Sequence, residues 1–597
     1  MPEPHPMAMP PEQVRATGST SCGQFAGIWL PRNAGEALPA LVRQWATAND
    51  GQPLHDGRRA LVFGFGKDRW PGPNSLSSDP DRLAIIVGEP IFRRGGRQHC
   101  RNDLLQALTS GSADDCISLL EDCHGSFAGL TLTSDCLQLF TDKIGIRGLF
   151  ILRTDAGVVC FSTSKRMLAG MAVSIGEKLT PNDKAVAEWL AFGYSIGERT
   201  LHTQISRFRE ATVATVHAHD ATTMRQYHHW RVAADETLDL DASAELVIGA
   251  MRTSVTDRLH VLPAEERNYA FLSGGMDSRF VVATLLDLNA SNLTTLNFAP
   301  TGTLDAICGN LAAAHLGTNH KHIPATDDWK TVIESATALL APEAGTPIRG
   351  LWWSGDGGSV GVGHVYLTAA TSVTPPVEPA ALARQLIIDN RWAISTRALG
   401  GTLRQVASWP AESVRQELER LSSLGFDRLA YAFFLFNDQR RHLDAHFDQV
   451  ETLAYDLILP FFDARLIRVM LSIPSRHLLG HRLYNRIFAR HRMGETPWQA
   501  YPGHEPCPHP MPLGARRQWE QGWLSEVAVK ASRRSRARRC LGGLLSAPNQ
   551  IDRLNVALAC AGILSGLKPA LHILSTAERV MSVYQAKRSH HPEGYEN

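Results

Sequence analysis

The sequence predicts an α/β protein of several domains: a β-sandwich with flanking helices, then a doubly wound parallel sheet, then a mostly helical part. Three observations carry this expectation. The chain has 597 residues, too many for one hydrophobic core. From about 22 to 175, short β-like runs recur with turn residues between them. From about 240, strand-like and helix-like segments alternate, which is the pattern of a parallel sheet covered by helices.

The front runs are QFAGIWL, ALVFGF, RLAIIVGE, SFAGLTLTS, LQLFTD, LFILRT and GVVCFST. Their spacing predicts sheet packed on sheet. DKAVAEWLAFGY reads as a helix, and ATVATVHAHDATTMRQYHHW as a hairpin leading out of this part. The alternating part runs SAELVIGAMRTSVTDRL (helix), YAFLSGG (strand and turn), RFVVATLLDL (helix), LTTLNFAP (strand), LDAICGNLAAAHLG (helix) and HKHIPAT (strand). After 380 the pattern is mostly helical. The expected organisation is a loose Pro- and Met-rich tail over 1–21, domains over 22–235 and 236–520, and a helical extension over 521–597. No internal repeat is evident. The Arg-rich ASRRSRARRC (531–540) is the one marked charge run, and reads as a solvated helix face or a dock for an acidic partner.

Composition narrows the function. The chain is 44% hydrophobic and 20% charged with a net charge of +1, which argues against a nucleic-acid partner. VALACAGILSGL (556–567) is cut by Lys568 and is shorter than a membrane span requires. No secretory signal is visible, and ten cysteines without a CxxC pair fit reduced thiols. The expectation is a cytoplasmic protein with no membrane partner.

FLSGGMDSRF (271–280) concentrates two glycines, two serines and an aspartate at a strand-to-helix turn. The glycines Gly274 and Gly275 let backbone amides approach an oxyanion closely. The following helix N-terminus adds positive potential. Ser273 and Ser278 supply hydroxyls, and Asp277 is suited to hold Mg²⁺ against phosphates. The turn predicts a phosphate cradle, but not a Walker A loop, because GK[ST] is missing.

SGGMDS resembles the pyrophosphate-binding loop of ATP pyrophosphatases, and its surroundings resemble the asparagine synthetase family. GSFAGLTLTSDCLQLFTDKIGIRGLF, FSTSKRMLAG, EWLAFGYSIGERTLHTQISRF, DAICGNLAAAHLGTNHKHI and DLILPFFDARLIRVMLSIP are similar to that family's segments, in the same order over roughly 22–510. The resemblance implies an N-terminal-nucleophile, glutaminase-like domain followed by an ATP-pyrophosphatase synthetase domain. The second would adenylate a carboxylate, release pyrophosphate and let an amine attack the acyl-AMP, with ATP and Mg²⁺ as cofactors. It also implies that Leu272, Ser354 and Gly355 cradle the nucleotide and that Asn297 lies near the adenine.

This chain departs from the family at three places. The family's N-terminal cysteine followed by Gly-Ile-Phe has two counterparts here. Cys22-Gly23-Gln24-Phe25 keeps the thiol inside the chain, whereas Ala26-Gly27-Ile28-Trp29 replaces it with alanine. The Asn-Gly-Glu oxyanion segment is Val87-Gly88-Glu89, so a side-chain donor is lost. The family's S-G-E-G-x-D-E loop becomes Ser354-Gly355-Asp356-Gly357-Gly358-Ser359-Val360, leaving Asp356 as the alternative metal carboxylate, with His364 nearby. Asp456 stands where the family has a glutamate, and reads either as an acid–base or amine-positioning group or as a structural ion pair. The family's late lysine is absent, and Arg486, Arg490 or His504 would stand in for it. NDQRRH (437–442) reads as a further basic set at the cleft or as surface charge.

Without glutamine hydrolysis the attacking amine belongs to the substrate. That resembles β-lactam synthetases and, more closely, lasso-peptide macrolactam cyclases. The expected partners are a peptide or amino-acid substrate and a leader-peptide-binding protein or protease. The alternatives are a glutamine-hydrolysing asparagine synthase or related amidotransferase, and a non-catalytic nucleotide-binding scaffold.

Overall fold

The front runs form two six-stranded antiparallel sheets. Across the first lie Ile205–Arg207, Phe150–Arg153, Val159–Ser162, Gln24–Trp29, Ala60–Phe65 and Gln52–Asp56. Across the second lie Thr222–Gln226, Thr212–His217, Cys136–Thr141, Ser126–Leu132, Arg82–Glu89 and Ser75–Asp79. The computed structural model describes residues 22–31, 37–66, 70, 73–79, 82–217, 222–261, 267–299, 304–323, 340, 351–363, 366–390, 394–448, 456–490, 526–566 and 571–585. The expected tail, His364 and His504 lie outside the described residues.

One core joins the inner faces, with Phe25, Trp29 and Val62 from the first sheet against Ile85, Leu130 and Leu139 from the second. Helices Ala37–Ala48 and Lys165–Ser174 cover the outer face of the first sheet. Helices Arg101–Ser110 and Ala113–Glu121 cover that of the second. Central strands are thus buried on both faces, which is why QFAGIW and ALVFGF read as unbroken apolar runs.

The alternating segments form a five-stranded parallel sheet ordered Asn319–His322, Leu293–Asn297, Asn268–Phe271, Leu351–Trp353, Leu457–Ile458. Phe271 pairs with Leu296 on one side, and Ala270 with Trp353 on the other. The winding therefore reverses beside Asn268–Phe271, and the crevice at the carboxyl ends of such strands is where α/β sheets place ligands. The helix after it, Met276–Asp287, buries nine of its 12 residues, as expected for a helix that is apolar almost all round. Strands Leu351–Trp353 and Leu457–Ile458 were not foreseen; with three and two residues they are too short for periodicity to register.

The C-terminal helices Glu526–Gly543, Arg553–Leu564 and Leu571–Gln585 share a core with Val186 and Leu190 of the front helix Asp183–Phe192. Within the Arg-rich run, Ala537 and Cys540 are buried there and Arg536 pairs with Glu578 at 2.5 Å, so one face of that run is packed rather than solvated.

Candidate active site

Two loops leave adjacent parallel strands at the reversal point. In the first, Leu272 donates its amide to Leu296 O at 2.7 Å. Ser278 Oγ lies 2.9 Å from Ser273 Oγ and accepts the Ser273 amide at 3.0 Å. The Gly275 amide donates to Ser273 Oγ, and the Gly274 amide to the Asp305 carboxylate at 2.7 Å. That last contact displays the preference of this turn for an anionic oxygen.

Arg279, fully buried, organises the turn from beneath. Its Nε and Nη2 donate to the carbonyls of Gly275 and Gly274, each at 3.0 Å, and its guanidinium lies over the Phe488 ring. Because each carbonyl lies anti to the amide of the next residue, this turns the Gly275 and Met276 amides to the opposite side. Asn297 is part of the same frame. It donates to Leu272 O at 2.9 Å and Asp305 O at 3.2 Å, and accepts from the Ala299 amide. The Asn297 side chain, expected near the adenine, thus spends its polar groups inside the fold. Leu272, likewise buried, is framework.

The second loop packs on the first because it lacks side chains. A Cβ on Gly355 would sit 2.6 Å from the Ser278 amide nitrogen, and one on Gly358 would sit 2.6 Å from Asp277 Cγ. Gly357 adopts φ 92°, and a Cβ there would also strike Phe462. Ser354 Oγ donates to Asp356 and accepts the Asp356 amide at 3.1 Å. His442 Nε2 lies 3.2 Å from Asp356 Oδ1.

These contacts bring together Ser273, Gly274, Gly275, Asp277, Ser278, Gly355 and Asp356. Burial pushes the Asp277 carboxyl up to about 7, against the opposing hydrogen bond donated by the Tyr484 hydroxyl; the Asp356 charge adds to the rise. Asp356 itself stays below the usual carboxylate range: burial acts upward, but the His442 hydrogen bond and charge outweigh it. Among the described residues no group of three or more His, Cys, Asp or Glu is placed to hold a metal. The pair Asp277 and Asp356 nevertheless supplies two hard carboxylate donors from facing loops, which fits an ion that completes its shell with phosphates and water.

Other expected residues point elsewhere. Arg486 forms an exposed ion pair with Asp241, and Arg490 pairs with Asp241 and Glu245. Tyr484, two residues before Arg486 on the helix Arg482–Arg490, is the residue that reaches Asp277. This corrects the expected catalytic role of Arg486: residues two apart on a helix face different directions. Asp456 is buried and ion-paired with Arg147 of the front unit, while His446 Nε2 lies 3.5 Å from its other oxygen. Burial opposes ionisation of Asp456, but Arg147 and His446 hold it down at about 2, so at neutral pH it is an anion and not a proton donor. In NDQRRH, Arg440 and Arg441 are buried and donate to the Gly197 carbonyl, and Asn437 accepts the Gly197 amide. His442 of that set reaches the second glycine-rich loop, at Asp356.

In the front unit, Cys22 precedes strand Gln24–Trp29 and is buried; its amide donates to Asn74 Oδ1 at 3.1 Å. Ala26 lies within the strand opposite Ser162. Glu89 faces the rear unit, where its carboxylate binds Arg258 at 2.7 Å and accepts the Leu459 amide. Arg258 also binds Asp463, which binds Arg465, which binds Asp257, which binds Arg93. Both Arg93 and Glu89 come from the front unit, so this ion chain ties the two units at each end.

The decisive comparison falls on the loop-bearing part. Residues 249–339 match the family model for asparagine synthase. The chain is an enzyme of the ATP-dependent ligase type. The match spans the first loop and the helices around it, and supports an amidotransferase or synthetase-type function. No curated protein matches the chain. Two of the solved structures similar to it illustrate the likeness. One is the allosteric regulatory enzyme of purine biosynthesis, with 9% identity, covering 46% of this chain and 74% of that chain at a TM-score of 0.23. The other is glutamine phosphoribosylpyrophosphate amidotransferase from B. subtilis complexed with ADP and GMP, with 10% identity, covering 55% of this chain and 95% of that chain at a TM-score of 0.24. No helix among the described residues is long and apolar enough to cross a membrane.

Sequence reasoning missed Arg279, Asp305, Tyr484 and Arg147. Arg279 had a signal, an arginine directly after the loop's last serine. The others act across distances that no local pattern encodes.

Proposed function

We propose that this chain adenylates a carboxylate of a ribosomal peptide with ATP and closes a macrolactam through the peptide's own amine, as in lasso-peptide biosynthesis. The observation that supports it is the contrast between the units. The phosphate-type turn keeps its amides, hydroxyls and Asp277 at the strand-reversal crevice, while Cys22 holds a peptide amide and Glu89 is committed to Arg258.

The substrate carboxylate oxygen attacks the α-phosphorus of ATP, and the bond to pyrophosphate breaks. Gly274 and Gly275 amides and the hydroxyls of Ser273 and Ser278 bind the departing pyrophosphate. The amine nitrogen then attacks the acyl carbon, AMP leaves with the carboxylate oxygen, and the amine loses a proton to solvent. Asp277 and Asp356 would hold Mg²⁺, which supplies charge neutralisation at the phosphates when bound. Ser354 keeps Asp356 oriented, and Asp456 remains an anion positioned by Arg147. The front unit serves as a glutaminase-like scaffold, and a leader-binding protein and a protease deliver the peptide.

The test combines the chain with such a precursor peptide, its leader-removing protease and Mg-ATP. The expected product is the peptide minus one water, with AMP and pyrophosphate released. A product that requires glutamine and disappears with Cys22→Ala would replace this reading with glutamine-dependent amide synthesis.

A further inference from the structure

The first loop already carries an anion of the chain's own. Asp305, in the first turn of the helix Leu304–Leu316, accepts the Gly274 amide on Oδ1 at 2.7 Å. Among the described residues this is the one hydrogen bond of that carboxylate. The main chain around it is held more firmly. Asn297 donates both to Asp305 O at 3.2 Å and to Leu272 O at 2.9 Å, so one side chain ties the helix to the loop. A turn further on, a Cβ on Gly309 would lie 2.6 Å from Asn297 Nδ2 and 2.9 Å from Leu272 O, a measure of how closely the helix approaches. At Gly274 a Cβ would sit 3.2 Å from Asp305 Oδ1 and 3.3 Å from Cys308 Cβ. Glycine at that position is what lets the carboxylate reach the turn.

Asp305 is half-buried, and burial pushes its carboxyl up, against the Gly274 hydrogen bond and the charge of Arg279. Its anion is thus desolvated and held by a single amide. Rotation of the Asp305 side chain frees that amide while the Asn297 contacts stay in place. A pyrophosphate carries more charge than a carboxylate and can also engage the Gly275 amide and the hydroxyls of Ser273 and Ser278. The exchange is one oxyanion for another on the same N–H, with no bond made or broken.

We propose that Asp305 is a resident competitor for the pyrophosphate position, holding the Gly274 amide while the crevice is empty, yielding it to the phosphates of ATP, and reclaiming it as pyrophosphate leaves. This rests on the reading of the first loop as a pyrophosphate cradle. The competition keeps the cradle from binding its own product too tightly, and it sets how readily pyrophosphate departs.

Calorimetric titration of the full chain with inorganic pyrophosphate, in buffer containing Mg²⁺, reads the competition. Asp305→Asn keeps the size of the side chain and removes its charge. It should tighten pyrophosphate binding about tenfold, because a neutral amide oxygen competes less well than a carboxylate for an N–H. Asp305→Ala, which removes the acceptor altogether, should tighten it at least as much. The gain should persist at about 0.5 M salt, where repulsion between more distant charges is screened. A carboxylate that only braced the loop would give the opposite sign, weaker binding in both variants. Equal or weaker binding by both variants, or a gain that salt abolishes, overturns the inference and leaves the cradle standing. If pyrophosphate binds neither the parent nor the variants, the cradle itself falls and this inference falls with it.

Discussion

The front sandwich and the strand-reversal crevice both present polar residues at strand ends, and they use them in opposite ways. In the front unit these groups face the other unit: Glu89 binds Arg258, Gln24 donates to the Phe447 carbonyl and Arg147 binds Asp456. In the crevice the polar groups turn on themselves, serine to serine and glycine amide to Ser273 or Asp305, through contacts that a phosphate oxygen can replace. Polar groups held by hydroxyls and a carboxylate can exchange partners, whereas groups held in buried ion pairs cannot without a large penalty. On the proposed function, the front unit serves as structure and the crevice carries the chemistry.

The most damaging way to break this contrast is Arg258→Met. It leaves Glu89 buried without its cation and Asp463 with Arg465 alone, and a loss of about 3–5 kcal/mol in unfolding free energy is expected. Adding Glu89→Gln should restore part of it, and a denaturant series on the double-mutant cycle reads the difference. Asp277→Ala comes next: pyrophosphate release should fall at least about 100-fold while the unfolding temperature stays close to that of the parent. Undiminished release would end the assignment of the first loop.

Acid should act on the crevice, where burial holds Asp277 at about 7, before it acts on the interface. Asp456 has a folded pKa of about 2, below the value of about 3.9 for an unpaired aspartate. Its contribution, on the order of 2 kcal/mol, is complete above about pH 4 and lost as pH falls towards 2. Arg147→Met should flatten that part of the stability–pH curve. Gly358→Ala is smaller: its Cβ would displace the Asp277 carboxyl, and an increase of about tenfold in KM for ATP is expected, because small misplacements at a reacting centre are costly. Cys22→Ala should be nearly silent, costing about 1 kcal/mol of stability and no ATP-dependent amide formation.

The sandwich, the parallel sheet and the first loop were legible because each leaves a local trace: unbroken apolar runs, a change of periodicity, and a dense Gly-Ser-Asp turn. Strand Leu457–Ile458 left none, since two residues carry no period. The candidate site was half legible. The glycines, Ser273, Ser278 and Asp277 belong to one contiguous turn, and Asp356 to a second. An asparagine at a strand end serves a ligand or its own backbone equally well, so the contacts of Asn297 to Leu272, Ala299 and Asp305 leave no trace in the sequence. Arg486 was chosen for its charge, and helix phase gave the inward position to Tyr484 instead.

Arg258 stands on a rear helix with Glu89 of the front unit on one side and Asp463 on the other. A gene fragment starting after residue 235 would therefore encode a cation robbed of half its counter-charge, and Asp456 without Arg147. Heredity would keep such a front unit whatever its own chemistry, since deleting it would uncap charges its neighbour has no means to solvate. Attempts to trim this enzyme to its ATP-using half must first rewrite Arg258 and Asp456.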